Sequence, residues 1–180
     1  AAMMTIGSTV RKMTTLMGTV AALSRDPNPK LHVVDVNTLV DDVLKGFNGA
    51  VGATLIRQSH SVPLVEADPA QLQQVVLNLI LNAQDAIGPD GRITLRTESN
   101  AEAAQLVVED NGCGMDHATI AGLFRPFRST KGKGLGIGLY QCRKILQAHG
   151  GTLNVMSEPG KGTRFVIRLR AHDARKRQAT

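Results

Sequence analysis

The sequence predicts an α/β fold. Three observations carry that expectation. Stretches with a helical repeat of apolar residues alternate with short runs rich in β-branched residues. A strongly amphipathic segment, Pro69–Ile87, opens on an Asp-Pro start signal. A glycine-rich loop, Lys131–Leu139, runs straight into a further helical repeat. The 180 residues suffice for one real core with an appendage, and 42% hydrophobic with 20% charged residues is ordinary globular composition.

Taken in order, residues 1–24 read as a helix, because Met3, Ile6, Val10, Met13, Met17 and Val20 recur at spacings of three and four. Such a stripe suits packing along another helix or on the domain's own core. The prolines of Asp26–Pro29 end it and mark a boundary between appendage and domain. Leu31–Val36 reads as a strand. Asn37 or Thr38 can cap the next helix, whose buried face is Leu39, Val40, Val43, Leu44 and Phe47. Ala53–Ser59 and Val62–Ala67 read as a strand pair around Ser61–Pro63. Asp68 caps the long helix, with Pro69 at its first position, where a missing N–H costs nothing. Arg92–Glu98 and Gln105–Glu109 are strands, and Asp116–Gly122 is a short helix. Gly138–His149 is a helix with Leu139, Cys142, Ile145 and Leu146 on one face. Thr152–Ser157 and Thr163–Arg170 form a closing hairpin.

Three stretches carry chemistry. Gly132, Gly134, Gly136 and Gly138 fall at alternate positions, which no ordinary strand or helix interior tolerates. Glycines expose bare N–H groups, and a helix that begins there adds its positive dipole end, so the loop fits a phosphate, with Lys131 as a point charge. Interleaved Leu135, Ile137 and Leu139 distinguish it from a flexible linker. It is neither a P-loop nor a Rossmann loop, since the preceding LFRPFRST is itself a loop. In the long helix Gln74, Asn78, Asn82 and Asp85 run along one side. Asparagine is a poor helix former; its carboxamide oxygen suits magnesium and its amide suits phosphate, or the pair can bond nearby backbone. Asp110, at a strand end before Asn111-Gly112-Cys113-Gly114, places an acceptor where the exocyclic amine of adenine could donate, or is an ordinary turn residue.

The composition excludes other classes. No tryptophan and one tyrosine, Tyr140, argue against a base-stacking nucleic-acid surface. The net charge of +6 gathers at the C-terminus, where ARKRQAT reads as a solvated tail. Cys113 and Cys142 are too few for a disulfide scaffold and lack metal spacing, which fits a reducing compartment. There is no signal peptide and no run of about 18 apolar residues. The opening Ala-Ala reads as the start of a fragment.

Four motifs in fixed order, NLILNAQDAI, DNGCGM, LFRPF with STK, and GKGLGIGL, followed by GTRF, resemble the catalytic ATP-binding domain of sensor histidine kinases. That superfamily also holds gyrase, the mismatch-repair ATPase and a heat-shock chaperone. The resemblance covers residues 31–170. It implies a two-layer α/β sandwich of the Bergerat type, a mixed sheet with helices on one face, preceded here by the N-terminal helix. It implies ATP and magnesium as cofactors. Asn82 would be the magnesium ligand, with Asn78 one turn earlier beside the phosphates. Asp110 would read adenine, with Gly112 and Gly114 passing close to the base and Thr163 nearby. Phe124 and Phe127 match a lid, Lys131 reaches the terminal phosphates, and Gly132, Gly134 and Gly136 form the second glycine box. Asp85, Met115, Thr130 and Leu135 complete the nucleotide contacts. The short lid is closest to the nitrogen-regulation type of kinase.

The resemblance also implies partners: dimerisation and phosphoacceptor helices, a response regulator, and a homodimeric, cytoplasmic arrangement whose parent can be anchored in the inner membrane; no nucleic acid is expected. Residues 1–26 would be the second helix of the dimerisation hairpin, and 171–180 a basic tail. None of His32, His60, His117, His149 and His172 sits in the phosphoacceptor context, and His117 and His149 read as surface residues. The expectation is a truncated kinase that binds ATP without phosphorylating itself. Two other classes are an ATP-hydrolysing switch of the gyrase type and a nucleotide-sensing module. The first carries a water-activating glutamate where this chain has Asn78, which cannot act as a base.

Overall fold

The computed structural model describes residues 28–46, 54–100, 102–127 and 136–172. The expected N-terminal helix, Thr130–Leu135 and the basic tail from 173 lie outside them. The elements are β1 (His32–Val34), α1 (Val36–Gly46), β2 (Thr54–Gln58), β3 (Val65–Ala67), α2 (Pro69–Ala86), β4 (Arg92–Asn100), β5 (Ala103–Asp110), α3 (His117–Gly122), α4 (Gly138–Ala148), β6 (Thr152–Glu158) and β7 (Gly162–Arg170).

A five-stranded sheet runs β2-β4-β5-β7-β6, and β1 and β3 form a separate two-stranded sheet. Only β2 lies parallel to its neighbour, so the large sheet is mixed, as expected. Its strands alternate: Ile93, Leu95, Leu106, Val108, Phe165, Ile167 and Leu153 point to one face and join a single core with α1, α2 and α4. The other face carries Arg96, Glu98 and Arg164, in which Glu98 pairs both arginines. The architecture is thus a two-layer α/β sandwich with the helices on one face.

The packing of α2 explains how a helix keeps two asparagines. Leu72, Val75, Val76, Leu79, Ile80 and Ala83 are all buried. Each large apolar side chain contributes about 1.5–3 kcal/mol on burial, against a propensity cost of roughly 0.7 kcal/mol or less for an asparagine. Asp68 caps the helix, and its carboxylate accepts from the N–H groups of Ala70 (3.1 Å) and Gln71 (3.2 Å). It also accepts from Lys30 N–H at 3.0 Å. The Lys30 bond above all, with those from Gln71 and Ala70, holds the Asp68 carboxyl below its ordinary range. A lowered pKa means the contribution is present above the ordinary carboxylate range and fades as pH falls through the lowered value. Asp68→Ala should therefore cost about 1–2 kcal/mol at pH 7. Urea titrations should find the gap from wild type narrowing in acid.

Three expectations need correction. Residues 53–59 and 62–67 do not pair with each other: β2 joins β4 in the large sheet, while β3 pairs with β1. The connection between them is held open by a buried polar junction. Thr97, inward on β4 and fully buried, accepts from His60 N–H (3.0 Å) and donates to Asn37 (2.8 Å). Arg57 on β2 donates to Asn37 (2.6 Å) and Asp41 (3.0 Å). Asn37 is thereby spent inside this junction. The cap of α1 is Asp35, whose carboxylate accepts from Asn37 N–H at 2.8 Å, and not Asn37 or Thr38. Finally, His149 is half-buried. Its Nε2 accepts from Asp68 N–H at 2.9 Å, and its Nδ1 lies 2.7 Å from the Ile145 carbonyl. It clamps the end of α4 to the start of α2.

Candidate functional site

The loop after β5 is held by hydrogen bonds at Asn111, Gly112, Cys113 and Met115. Asn111 N–H donates to the Arg92 carbonyl (3.3 Å), and its side-chain oxygen accepts from Arg92 N–H (2.6 Å). Gly112 N–H donates to Asp110 Oδ1 at 2.9 Å. Cys113 N–H donates to the carbonyl of Ala86, the last residue of α2, at 2.9 Å, and Cys113 accepts from Gly160 N–H at 2.7 Å. Met115 N–H donates to Ser157 Oγ at 2.9 Å. The loop therefore bridges α2, β5 and the β6–β7 turn. Gly114 has φ +66°, and a Cβ there would sit 1.9 Å from the Glu158 carbonyl oxygen, so no other residue fits without backbone movement.

Asp110 and Thr163 face each other across β5 and β7, on the helix-covered side of the sheet, and both are buried. The Asp110 carboxylate is thus a desolvated acceptor on an inward sheet position. Thr163 Oγ1 lies 3.0 Å from Ser157 Oγ.

The asparagines gather a second set of groups. The start of α4 carries no side-chain cap, so its first N–H groups remain for another acceptor. Asn78 faces that start: a Cβ at Gly138 would lie 3.5 Å from Asn78 Oδ1. Asn78 also bonds the Cys142 thiol, which burial nevertheless pushes up to about 12. Asn82 is half-buried one turn further along α2, and Asp85 is exposed beyond it. Gly136, with φ +65°, leads into α4. Phe124 packs partly on the core beneath the Arg143 guanidinium, 5.4 Å from its ring centre. Phe127 is 66% exposed with φ +62°, a strained value for a phenylalanine.

Asp110, Gly112, Gly114, Met115 and Thr163 thus converge at one end of α2, and Asn78, Gly136 and the start of α4 along its flank. Thr130, Lys131, Gly132, Gly134 and Leu135 lie outside the described residues. Sequence reasoning missed Ser157. Its only signal is a hydroxyl residue facing Thr163 across a hairpin. A separate concavity of about 420 Å³ lies between α4 and β6, lined by Phe124, Arg143, Gln147 and Leu153 among others, with none of the converging residues.

The two cysteines should differ in reactivity. Cys113 is exposed and Cys142 is buried with a raised pKa. A thiol reagent at pH 8 should label one cysteine of the folded protein, Cys113, and both after denaturation.

A mixed sheet bearing helices on one face, with an acidic strand end docked on an asparagine-lined helix, defines a class of nucleotide-binding ATPase domain. The chain belongs to the family of histidine kinase-, DNA gyrase B- and HSP90-like ATPases, whose model matches residues 67–173. Among curated relatives it is 35% identical over 150 residues to the sensor histidine kinase ZraS of Escherichia coli K12, covering 81% of this chain and 32% of that one. It is 34% identical over 139 residues to sporulation kinase C of Bacillus subtilis, covering 76% and 30%. The chain spans about a third of the length of these relatives. The nucleotide-free catalytic domain of histidine kinase ThkA superposes with a TM-score of 0.72 at 27% identity, covering 78% of this chain and 97% of that one. Among the described residues no helix is long and apolar enough to cross a membrane.

Proposed function

We propose that residues 31–170 are the ATP-binding catalytic domain of a two-component sensor histidine kinase. The domain would pass the γ-phosphoryl group of ATP to a histidine and thence to a response regulator. The observation that carries this is the docking of Cys113 N–H on the Ala86 carbonyl at 2.9 Å. It brings the buried carboxylate of Asp110 to the helix that holds Asn78 and Asn82, so a base slot and a phosphate region share one helix.

The donor set fits the nucleotide. Asp110 accepts from the purine amine, while Gly112 and Gly114 let the loop press against the backbone of Ala86 and Glu158 and so fix where that carboxylate stands. Asn78 and the first N–H groups of α4 meet the phosphates, with Lys131 and the glycines of the loop as further donors. Asn82 would hold magnesium, which supplies charge neutralisation between the phosphates. With little covalent chemistry for the protein to do, positioning and electrostatics carry the catalysis.

Asn78 also weighs against water activation, since a carboxamide is no base. We place the acceptor histidine outside these 180 residues. His172 precedes Asp173 but lies two residues past β7, where its N–H donates to the Leu64 carbonyl and its ring lies 3.2 Å from Glu66. His149 is held by Asp68 and Ile145. Residues 1–26 would then supply the second helix of the dimerisation hairpin, and the basic tail expected from 171 would start only at 173, since Ala171 and His172 bond Glu102 and Leu64.

The test is incubation with γ-labelled ATP and magnesium, with and without a separately made phosphoacceptor hairpin from a relative such as ZraS. Acid-labile label is expected on the hairpin and none on this chain. Rapid phosphate release without label transfer would instead favour the hydrolysing class.

A further inference from the structure

The geometry points to Ser157 as a positioning residue that turns Thr163 into a pure hydrogen-bond acceptor and so makes the slot selective for a 6-amino purine over a 6-oxo purine. This rests on the reading of the Asp110 slot as the purine site and adds to it a residue that sets base choice.

The argument is proton bookkeeping. A serine hydroxyl has one proton and two lone pairs. Ser157 Oγ lies 2.8 Å from the Gly162 carbonyl oxygen, which can only accept, so the serine proton goes there. Met115 N–H donates to Ser157 Oγ at 2.9 Å and takes one lone pair. The remaining contact, 3.0 Å to Thr163 Oγ1, then has one solution: threonine donates and serine accepts. Ser157 is saturated, and the only proton of Thr163 is committed to it. What Thr163 presents elsewhere is lone pairs alone.

Thr163 stands directly opposite Asp110 across β5 and β7, on the same side of the sheet. An ionised carboxylate is likewise acceptor-only. Two fixed acceptors suit an exocyclic amine, which brings two N–H donors. They oppose the carbonyl oxygen that guanine or hypoxanthine carries at the same ring position. Without Ser157, the Thr163 hydroxyl is free to rotate and donate to that oxygen, and half of the opposition disappears.

The test is calorimetric titration of the full chain with Mg-ATP and Mg-GTP. The parent chain should prefer ATP. Ser157→Ala should lower the ATP-to-GTP affinity ratio about tenfold, chiefly through weaker ATP binding with GTP binding held or raised. Ser157→Thr, which keeps the hydroxyl, should stay within about twofold of the parent ratio. Thr163→Val should lower the ratio as well, and adding Ser157→Ala to it should change the ratio no further. Ser157→Cys keeps the volume but bonds weakly, so it should follow alanine and decides the matter if the alanine variant unfolds. Equal weakening of both nucleotides would make Ser157 merely structural and overturn the proposal, while the purine-site reading survives on the parent's ATP preference. A parent chain that binds neither nucleotide would overturn both.

Discussion

Gly162→Ala is expected to destabilise the domain by about 3–5 kcal/mol and to abolish nucleotide binding even where the chain stays folded. Gly162 opens β7 with φ +90°, a region that costs an L-residue roughly 1–3 kcal/mol. A Cβ there would also lie 1.9 Å from the carbonyl oxygen of Asp110 and 2.9 Å from the Cα of Asn111. Both are backbone atoms of the loop that carries the acidic acceptor, so relief must push that loop away from β7. The same carbonyl of Gly162 receives the Ser157 proton, so the shift would also release Met115. Gly160 provides the control. It has φ +76° in the same turn, but nothing lies within 4 Å of its Cβ position. Gly160→Ala should cost only the conformational penalty, about 1–2 kcal/mol, and keep nucleotide binding. Chemical denaturation with a fluorescent ATP analogue as second readout separates the two. Equal losses in both variants would mean that φ alone, and not the approach of β7 to the Asp110 loop, explains the glycine.

What the sequence made legible was local. Asp68-Pro69 announces a helix start in two adjacent residues, and the structure begins α2 there with the expected cap. The helical repeat in Gly138–His149 puts Leu139, Cys142, Ile145 and Leu146 on one face, and α4 packs that face on the core. What failed was non-local. Nothing in Thr54–Gln58 says that its partner lies 38 residues on and runs parallel, since the apolar pattern of a strand is silent about pairing. Asp35, Asn37 and Thr38 are all good caps, and the choice falls to Asp35 because Val36 has to be buried in the first turn while Asn37 is claimed by Thr97 and Arg57. Nothing in the sequence around His149 marks it as part of the packing, because its partner, Asp68, is 81 residues away. Within the candidate site the same division holds. Asp110, Gly112 and Gly114 announce themselves by their spacing, whereas Ser157 acquires its importance only when the hairpin brings it against Thr163.

Asp110→Asn should weaken ATP binding about 100-fold while leaving the fold within about 1 kcal/mol of wild type. The two expectations follow from the same geometry. Asp110 is 5% exposed, and its Oδ1 accepts from Gly112 N–H at 2.9 Å. An asparagine keeps an oxygen for that bond, so the turn can close as before. Its amide then replaces the second carboxylate oxygen, and an acceptor becomes a donor. A purine amine meeting that donor loses its hydrogen bond and gains a repulsive contact beside a buried side chain, where an unmade bond costs about 1–3 kcal/mol. A purine with a carbonyl at the same position gains a partner. Inosine triphosphate should therefore bind the variant better, relative to ATP, than it binds the parent. Calorimetric titrations of both nucleotides, beside thermal melts of both proteins, check the claim. A uniform loss for the two nucleotides would mean that Asp110 acts by shaping the turn, and unchanged ATP affinity would remove it from the binding site. An inverted preference with an unchanged melting temperature is the outcome that only a direct contact between this carboxylate and the base can produce.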